Sequence, residues 1–202
     1  MKYLFYITTG SPSAESTESH RIDDRYRWYL WRPTVCSVVA PGMRRLFGAR
    51  RWLWHVLHIY ANRDYSILVI YDGDSLVHRS FAVPQWFRYP FMGPNDLQIV
   101  NTWTVEKHRG QGLASFALSR IMAIHGRSDR RLWYMVREDN TASIRVVEKC
   151  GFSLVGCGHR LGRFGFRLLD YYQVEGWTPS TVGRFDRLSD LSTIDNNSET
   201  TP

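Results

Sequence analysis

Cysteine is scarce in this chain, and what there is forms no pattern. Cys36, Cys150 and Cys157 have no paired spacing and no histidine cluster beside them. That argues against a disulfide framework and against a metal site, and it fits a reducing compartment. Long apolar runs are missing as well. The opening segment KYLFYITTG is too short for a membrane-spanning helix and lacks the apolar stretch of a signal peptide, so it reads as a strand. No internal repeat is visible, and no block of lysines. The net charge of +7 and the pI near 9.5 come instead from scattered arginines, many of them beside aromatics. Such a balance favours anionic partners: nucleic acid, a phosphorylated ligand or an acidic membrane surface.

What is present suits one domain. The 202 residues are 44% apolar and 14% aromatic, enough for a sizeable core. Residues 10–24 are small and polar and read as a loop. Met43 to Tyr60 looks helical, with apolar positions three and four apart in its second half. YSILVIYDGDSLVHRSFAV reads as a hairpin turning at Asp72 and Gly73. A Pro-rich loop over 84–96 leads into a strand, LQIVNTWTV. The pattern then predicts a helix from Leu113 to about His125, a strand over 131–138, a helix in NTASIRVVEKC, and two last strands. The polar stretch 186–202 reads as a disordered tail. The order predicts an α/β or α+β domain, 1–185, around a mixed sheet.

One stretch asks for an explanation. HRGQGLASFAL places Gly110 and Gly112 where an apolar helix begins, although glycine is poor in helices by roughly 1 kcal/mol. A helix start presents unsatisfied N–H groups and the positive end of the helix dipole. Glycines let that backbone approach a phosphate, and Arg109 adds a charged donor. The two standard nucleotide loops do not fit, since no Lys-Ser/Thr follows the glycines and the spacing is not GxGxxG. An ordinary turn with a glycine bend is the plain alternative.

These residues resemble a known pattern. Arg109, Gly112 and Ala114, after a strand ending TWTVEKH, match the signature of the GNAT superfamily of N-acetyltransferases. Asn140, Ser143, Val146, Lys149, Gly151 and Phe152 in NTASIRVVEKCGF match its second element. Residues 97–157 resemble the family's acyl-CoA-binding core, 66–172 do so loosely, and the part over 1–62 is divergent. The resemblance implies a central mixed, mostly antiparallel sheet flanked by helices, with acetyl-CoA as co-substrate. Its pyrophosphate would rest on the amides of Arg109, Gly110, Gln111, Gly112, Leu113 and Ala114. Its pantetheine arm would pair with the strand holding Trp103, Thr104 and Val105. Asn140, with Ser143 near it, would touch that arm or cap the second helix; a cap suits its position equally well.

Direct acyl transfer needs a free amine, a proton acceptor and donors for the developing oxyanion. The resemblance puts the base eleven to thirteen residues before the signature arginine, where this chain has Gln98 and Asp96. Asp96 is therefore one candidate base and His78, on the preceding strand, the other; each also has an ordinary structural role open to it. The family's usual tyrosine acid falls at Val147, which leaves Tyr134 or water for that step. Cys150 reads as a small buried residue. The Pro-rich loop, with Trp86, Phe87, Arg88, Tyr89, Phe91 and Met92, would suit a sugar carrying a phosphate. Its FRYPFM–NDLQI wording is similar to acetyltransferase-like proteins of bacterial cell-surface polysaccharide synthesis. The expectation is a cytoplasmic N-acetyltransferase for a small amine, an amino-sugar that is nucleotide- or lipid-linked. A protein amine and a non-catalytic acyl-CoA-binding module are the alternatives. Homodimerisation is left open, no nucleic-acid motif is present, and core packing is preferred over membrane contact for RRLFGARRWLWHVLHIY.

Overall fold

The computed structural model describes residues 1–9, 21–34, 37, 40, 42–43, 45–163 and 166–177. The expectations for 10–20, Cys36 and the tail 186–202 fall outside these residues. Among the described residues the strands are β1 (Lys2–Thr9), β2 (Tyr26–Trp31), β3 (Ser66–Asp72), β4 (Ser75–Pro84), β5 (Leu97–Thr104), β6 (Arg131–Arg137), β7 (Ser153–Arg163) and β8 (Phe166–Val174). The helices are α1 (Arg45–Val56), α2 (Leu113–His125) and α3 (Thr141–Lys149). The eight strands form one sheet in the order β2-β3-β4-β5-β6-β1-β7-β8. Every neighbouring pair is antiparallel except β5 and β6. The expected mixed, mostly antiparallel sheet flanked by helices is what the chain adopts.

Local chemistry explains most elements. β3 is an apolar run buried at nearly every position because both faces of the sheet are covered there. The β3–β4 hairpin turns at Gly73, whose φ of +57° suits glycine. On one face, Leu68, Ile70, Leu97, Ile99 and Leu132 pack against Leu113, Phe116, Ala117 and Ile121 of α2 and Val147 of α3. On the other, Ile67, Val69, Phe81 and Trp133 pack against Trp86, Tyr89, Phe91 and Met92 of the Pro-rich loop. That loop does for the second face what the helices do for the first. Its rings are core: Trp86, Tyr89, Phe91 and Met92 are all buried, and only Phe87 is well exposed. The sugar-binding role suggested for those four side chains is thereby withdrawn.

The first strand lies far from its sequence neighbours. β1 sits between β6 and β7, pairing Tyr6 with Tyr134 on one side and Leu4 with Cys157 on the other. Tyr6 donates to Glu148 Oε1 at 3.0 Å, tying β1 to α3. Burial and the Glu148 carboxylate push its phenol up to about 12. No helix of the described residues is long and apolar enough to cross a membrane.

One irregularity shapes the site. β5 and β6 pair at only three positions, Leu97↔Leu132, Gln98↔Trp133 and Ile99↔Tyr134. Beyond them the strands separate. Asn101 takes a φ of +52°, and the β4–β5 register shifts between Arg79 and Phe81. Asparagine tolerates that left-handed conformation better than most residues. The result is a wedge, with the β6-facing edge of β5 unpaired from Val100 to Thr104.

Candidate active site

The wedge opens into a cleft of about 610 Å³. Thr102, Trp103 and Thr104 of β5 form one wall, and Tyr134 of β6 lies at its apex. The loop His108–Gly112 and the start of α2 (Leu113, Ala114, Ser115) close one end. Asn140, Ala142, Ser143, Val146 and Lys149, at and along α3, close the other side.

The glycine loop is built for its conformation. Gly110 and Gly112 have φ of +75° and +77°, and a Cβ on either would meet nothing within 4 Å. Glycine is needed there for the left-handed backbone rather than for space. Arg109 N–H donates to Glu106 O, and the first amide bond of α2 runs from Phe116 to Gly112 O. Between them, the amides of residues 110–115 make no backbone hydrogen bond among the described residues. The first turn of α2 has no acidic residue to offset its positive end. Arg109 and Lys149 are exposed beside these amides. The run of amides without a backbone partner therefore begins at Gly110, because the Arg109 amide is already engaged.

A strand that the sequence did not reveal holds this loop in place. Tyr26 of β2 lies 2.9 Å from His108 Nδ1 and donates to Gln111 Oε1. Arg25 donates to the same oxygen. The Gln111 side chain is thus an anchor, and Gln111 is not on the cleft wall. Val105 is not on it either, since its N–H donates to Val77 O at 2.9 Å and its side chain packs on the core.

At α3, Asn140 Oδ1 accepts from Ser143 N–H at 3.1 Å, so the cap is real, and Asn140 also faces the cleft. Burial raises the pKa of Tyr134, and hydrogen bonds with Thr102 and Ser143 only partly oppose that rise. The phenol stays protonated at neutral pH, an O–H donor at the apex of the wedge.

Residues 26–152, more than half of the chain, match the Acetyltransferase (GNAT) family. The chain belongs to the GNAT family. Solved structures share its fold. A GCN5-related N-acetyltransferase from Sphaerobacter thermophilus aligns with a TM-score of 0.51 and 14% identity, covering 77% of this chain and 49% of that one. A tandem GNAT protein from the clavulanic acid biosynthesis pathway gives 0.50 and 15%, covering 76% and 50%. A GNAT-family protein from Novosphingobium aromaticivorans gives 0.47 and 16%, covering 77% and 61%. The chain thus spans about half to three-fifths of these structures' lengths, and at such identities the likeness is one of fold. No curated protein matches the sequence.

Within this GNAT fold, both candidate bases lie away from the cleft wall. Asp96 is 2% exposed and accepts from Gly93 N–H at 2.9 Å, Arg131 N–H at 3.0 Å and Trp133 Nε1 at 2.9 Å. It ties the Pro-rich loop to β6, and three donors occupy the lone pairs a base would use. Asp96→Asn should therefore act on stability. Its amide would turn a donor toward donors, costing about 1–3 kcal/mol. Chemical unfolding should show that loss.

His78 is fully buried on β4, opposite Thr104 of β5. Its Nδ1 lies 2.8 Å from Thr104 Oγ1 and its Nε2 3.0 Å from Ser80 Oγ, which donates to Thr102 at 3.1 Å. It fixes the two threonines of the cleft wall rather than facing the cleft. Burial, then the charge of Arg79, pushes its pKa down to about 3 from the ordinary 6.5. His125, against Ser66 at 2.9 Å, is likewise pushed by burial down to about 4. The unfolded chain takes up these protons near pH 6.5, whereas the folded one does not until pH about 3 to 4. The stability they give is complete above 6.5 and is lost as pH falls toward those values. Each adds up to about 1.4 kcal/mol per pH unit in that window. Urea unfolding at pH 7, 6 and 5 should show the decline, and His78→Gln should flatten it.

Cys150 is buried, and its thiol donates to Ser115 O at 3.7 Å. Burial pushes that thiol up, as befits a packing residue. Thr102, His108, Ser115 and Ala142 are cleft residues that the sequence reading did not assign. Thr102 could have been found from its period-two relation to Thr104.

Proposed function

We propose that this chain is an acetyl-CoA-dependent N-acetyltransferase that acts directly on the primary amine of a small acceptor, an amino-sugar being the class put forward. The observation that carries the reading is the wedge between β5 and β6, which runs into amides 110–115 at the positive end of α2. An extended polar arm ending in a diphosphate needs both an unpaired strand edge and a set of convergent N–H donors. When bound, acetyl-CoA supplies an acyl thioester. Amides 110–115, with Arg109 and Lys149, hold its diphosphate, and the free edge of β5 from Val100 to Thr104 pairs with its amide arm. Asn140 and Ser143 line the opposite side of that path.

Tyr134 takes the place that Val147 cannot fill. Val147 is fully buried in the core and has no proton to give. The protonated Tyr134 hydroxyl, oriented by Thr102 and Ser143, donates to the departing sulfur. With Asp96 and His78 engaged by other groups, the amine loses its proton to water. The amino-sugar class draws on the exposed ring of Trp103 beside Arg79, now that the loop aromatics are known to be core.

Titration calorimetry with CoA tests the cradle, and saturable binding in the micromolar range is the expected result. Thiol release from acetyl-CoA with glucosamine as acceptor tests the transfer and separates an enzyme from a non-catalytic binder. Tyr134→Phe should lower kcat about tenfold to a hundredfold with CoA affinity unchanged. A chain with no affinity for CoA ends the assignment.

A further inference from the structure

We propose that the end of α1, with the turn after it and the tip of the Pro-rich loop, docks this protein on an anionic membrane surface. This goes beyond the transferase reading and needs no part of it.

An apolar stripe faces outward there. Leu53, Val56 and Leu57 stand three and four residues apart, so they share one face at the end of α1. All three are exposed, Leu57 at 59% and Leu53 at 44%. A surface helix ordinarily turns such a stripe to the core and its polar residues to water. Here the core side belongs to Trp54, whose ring centroid lies 4.3 Å from that of Trp86, and to His55, 6.1 Å from Tyr65. The core packing expected of this helix is made by those two rings, and the leucine stripe is left outside.

Two features widen the stripe into a surface. The helix stops at His58, whose φ of +55° turns the chain, and Ile59 N–H donates to Trp54 O at 3.0 Å. Ile59, also exposed, is thereby folded back beside the last turn. Ala61 N–H then donates to Gln85 O at 2.9 Å, which joins the turn to the Pro-rich loop. In that loop Phe87, 42% exposed, lies edge-on to Trp86 at 4.6 Å, against the same indole that meets Trp54. Apolar side chains of two segments thus come to one end of the fold.

Charge decides what covers this surface. Residues 45–63 contain arginines and histidines but no aspartate or glutamate. Arg63 donates to His58 Nε2 at 2.6 Å, which holds its guanidinium beside the apolar end of the helix. Asp64, the next residue, is engaged by Arg130. Leucine, isoleucine and phenylalanine rimmed by arginine match a bilayer whose phosphates lie above hydrocarbon, and indoles such as Trp52 and Trp54 favour that boundary. A helix of 12 residues lies in the headgroup plane and does not span. The net charge of +7 draws the whole chain to such a surface.

The experiment floats the full chain with vesicles of phosphatidylcholine alone and of phosphatidylcholine with phosphatidylglycerol, at low and at high salt. Wild type should bind the anionic vesicles at least about tenfold more tightly than the neutral ones, and high salt should weaken that binding without abolishing it. The double variant Leu53→Gln/Leu57→Gln should lose at least about tenfold in affinity for anionic vesicles, since two apolar side chains no longer enter the bilayer. Phe87→Gln, in the other segment, should lose at least about threefold. Arg63→Gln should lose about threefold to tenfold at low salt and little at high salt. Leu154→Gln, at a leucine of β7 that is 56% exposed, should bind as wild type does. Each variant should keep the urea transition of wild type, because the altered side chains lie at the surface. No binding to anionic vesicles overturns the proposal. Binding that both the double leucine variant and Phe87→Gln leave unchanged also overturns it, since a basic protein is then adsorbing by charge alone. A dimer in sedimentation velocity that the double variant abolishes, with no vesicle binding, gives the patch to a second copy and overturns it too. Calorimetry with CoA reads the transferase assignment separately, so either can fail while the other stands.

Discussion

A chain lacking residues 1–9 is expected not to fold. β1 is paired on both sides, at seven positions with β6 and at six with β7. Its removal would leave β7 and β8 as a hairpin detached from the other strands, and an isolated hairpin is marginal in water. Phe5 is fully buried and Tyr6 2% exposed. Phe5 packs edge-on to Phe91 at 5.1 Å on one face of the sheet, while Tyr6 belongs to the core under α2 and α3. Losing a large buried aromatic costs about 3–5 kcal/mol, and whole domains are stable by only about 5–15 kcal/mol. The truncated chain should be recovered as aggregate, without a cooperative urea transition. Phe5→Ala should retain the fold at a cost of about 3–5 kcal/mol. A truncated chain that remains monomeric and unfolds cooperatively would show that β1 is dispensable.

The second large effect is expected at Gly112, where Gly112→Val should cut CoA affinity about tenfold to a hundredfold. No clash is involved, since the added Cβ meets nothing within 4 Å. The cause is backbone conformation: a β-branched residue at φ near +77° is strained by about 1–3 kcal/mol. The loop relieves that strain by rotating, and the amides of Gln111, Gly112 and Leu113 turn away from one another. Gly112→Asn, which tolerates the left-handed region, should lose far less. Calorimetry with CoA reads the affinities, and thermal unfolding without ligand shows whether stability has moved in parallel. If Gly112→Val binds CoA as wild type does, these amides do not hold the diphosphate.

The parts of the site that were legible in the sequence depend on local rules. The glycine loop, α2 from Leu113 to His125 and the Asn140 cap each show themselves within a dozen residues, through backbone freedom, periodicity or capping. The hairpin at Gly73 did so too. What escaped is set by contacts between distant segments. Nothing in YRWYLW shows that Tyr26 will reach His108 and Gln111, more than eighty residues on. Asp96 stood at a position where a base is expected, but its partners come from the preceding loop and from β6, so its lone pairs are spent on Gly93, Arg131 and Trp133. His78 was placed on the correct strand, yet its burial depends on how α2 covers that face. The Pro-rich loop showed its aromatics plainly. Whether they face a ligand or the core depends on the sheet face they cover, which is tertiary information.

The position of β1 also bears on how the protein is made. Residues 2–9 leave the ribosome well before the strands on either side of them, Arg131–Arg137 and Ser153–Arg163. Throughout that interval KYLFYITT is an apolar ribbon with both backbone edges open, the state in which strands pair with the wrong chain. The sheet closes only after synthesis has passed β7, through contacts of long sequence separation that form slowly. Slower translation cannot help a strand whose neighbours do not yet exist, so yield in a heterologous host should respond to holding chaperones and low temperature.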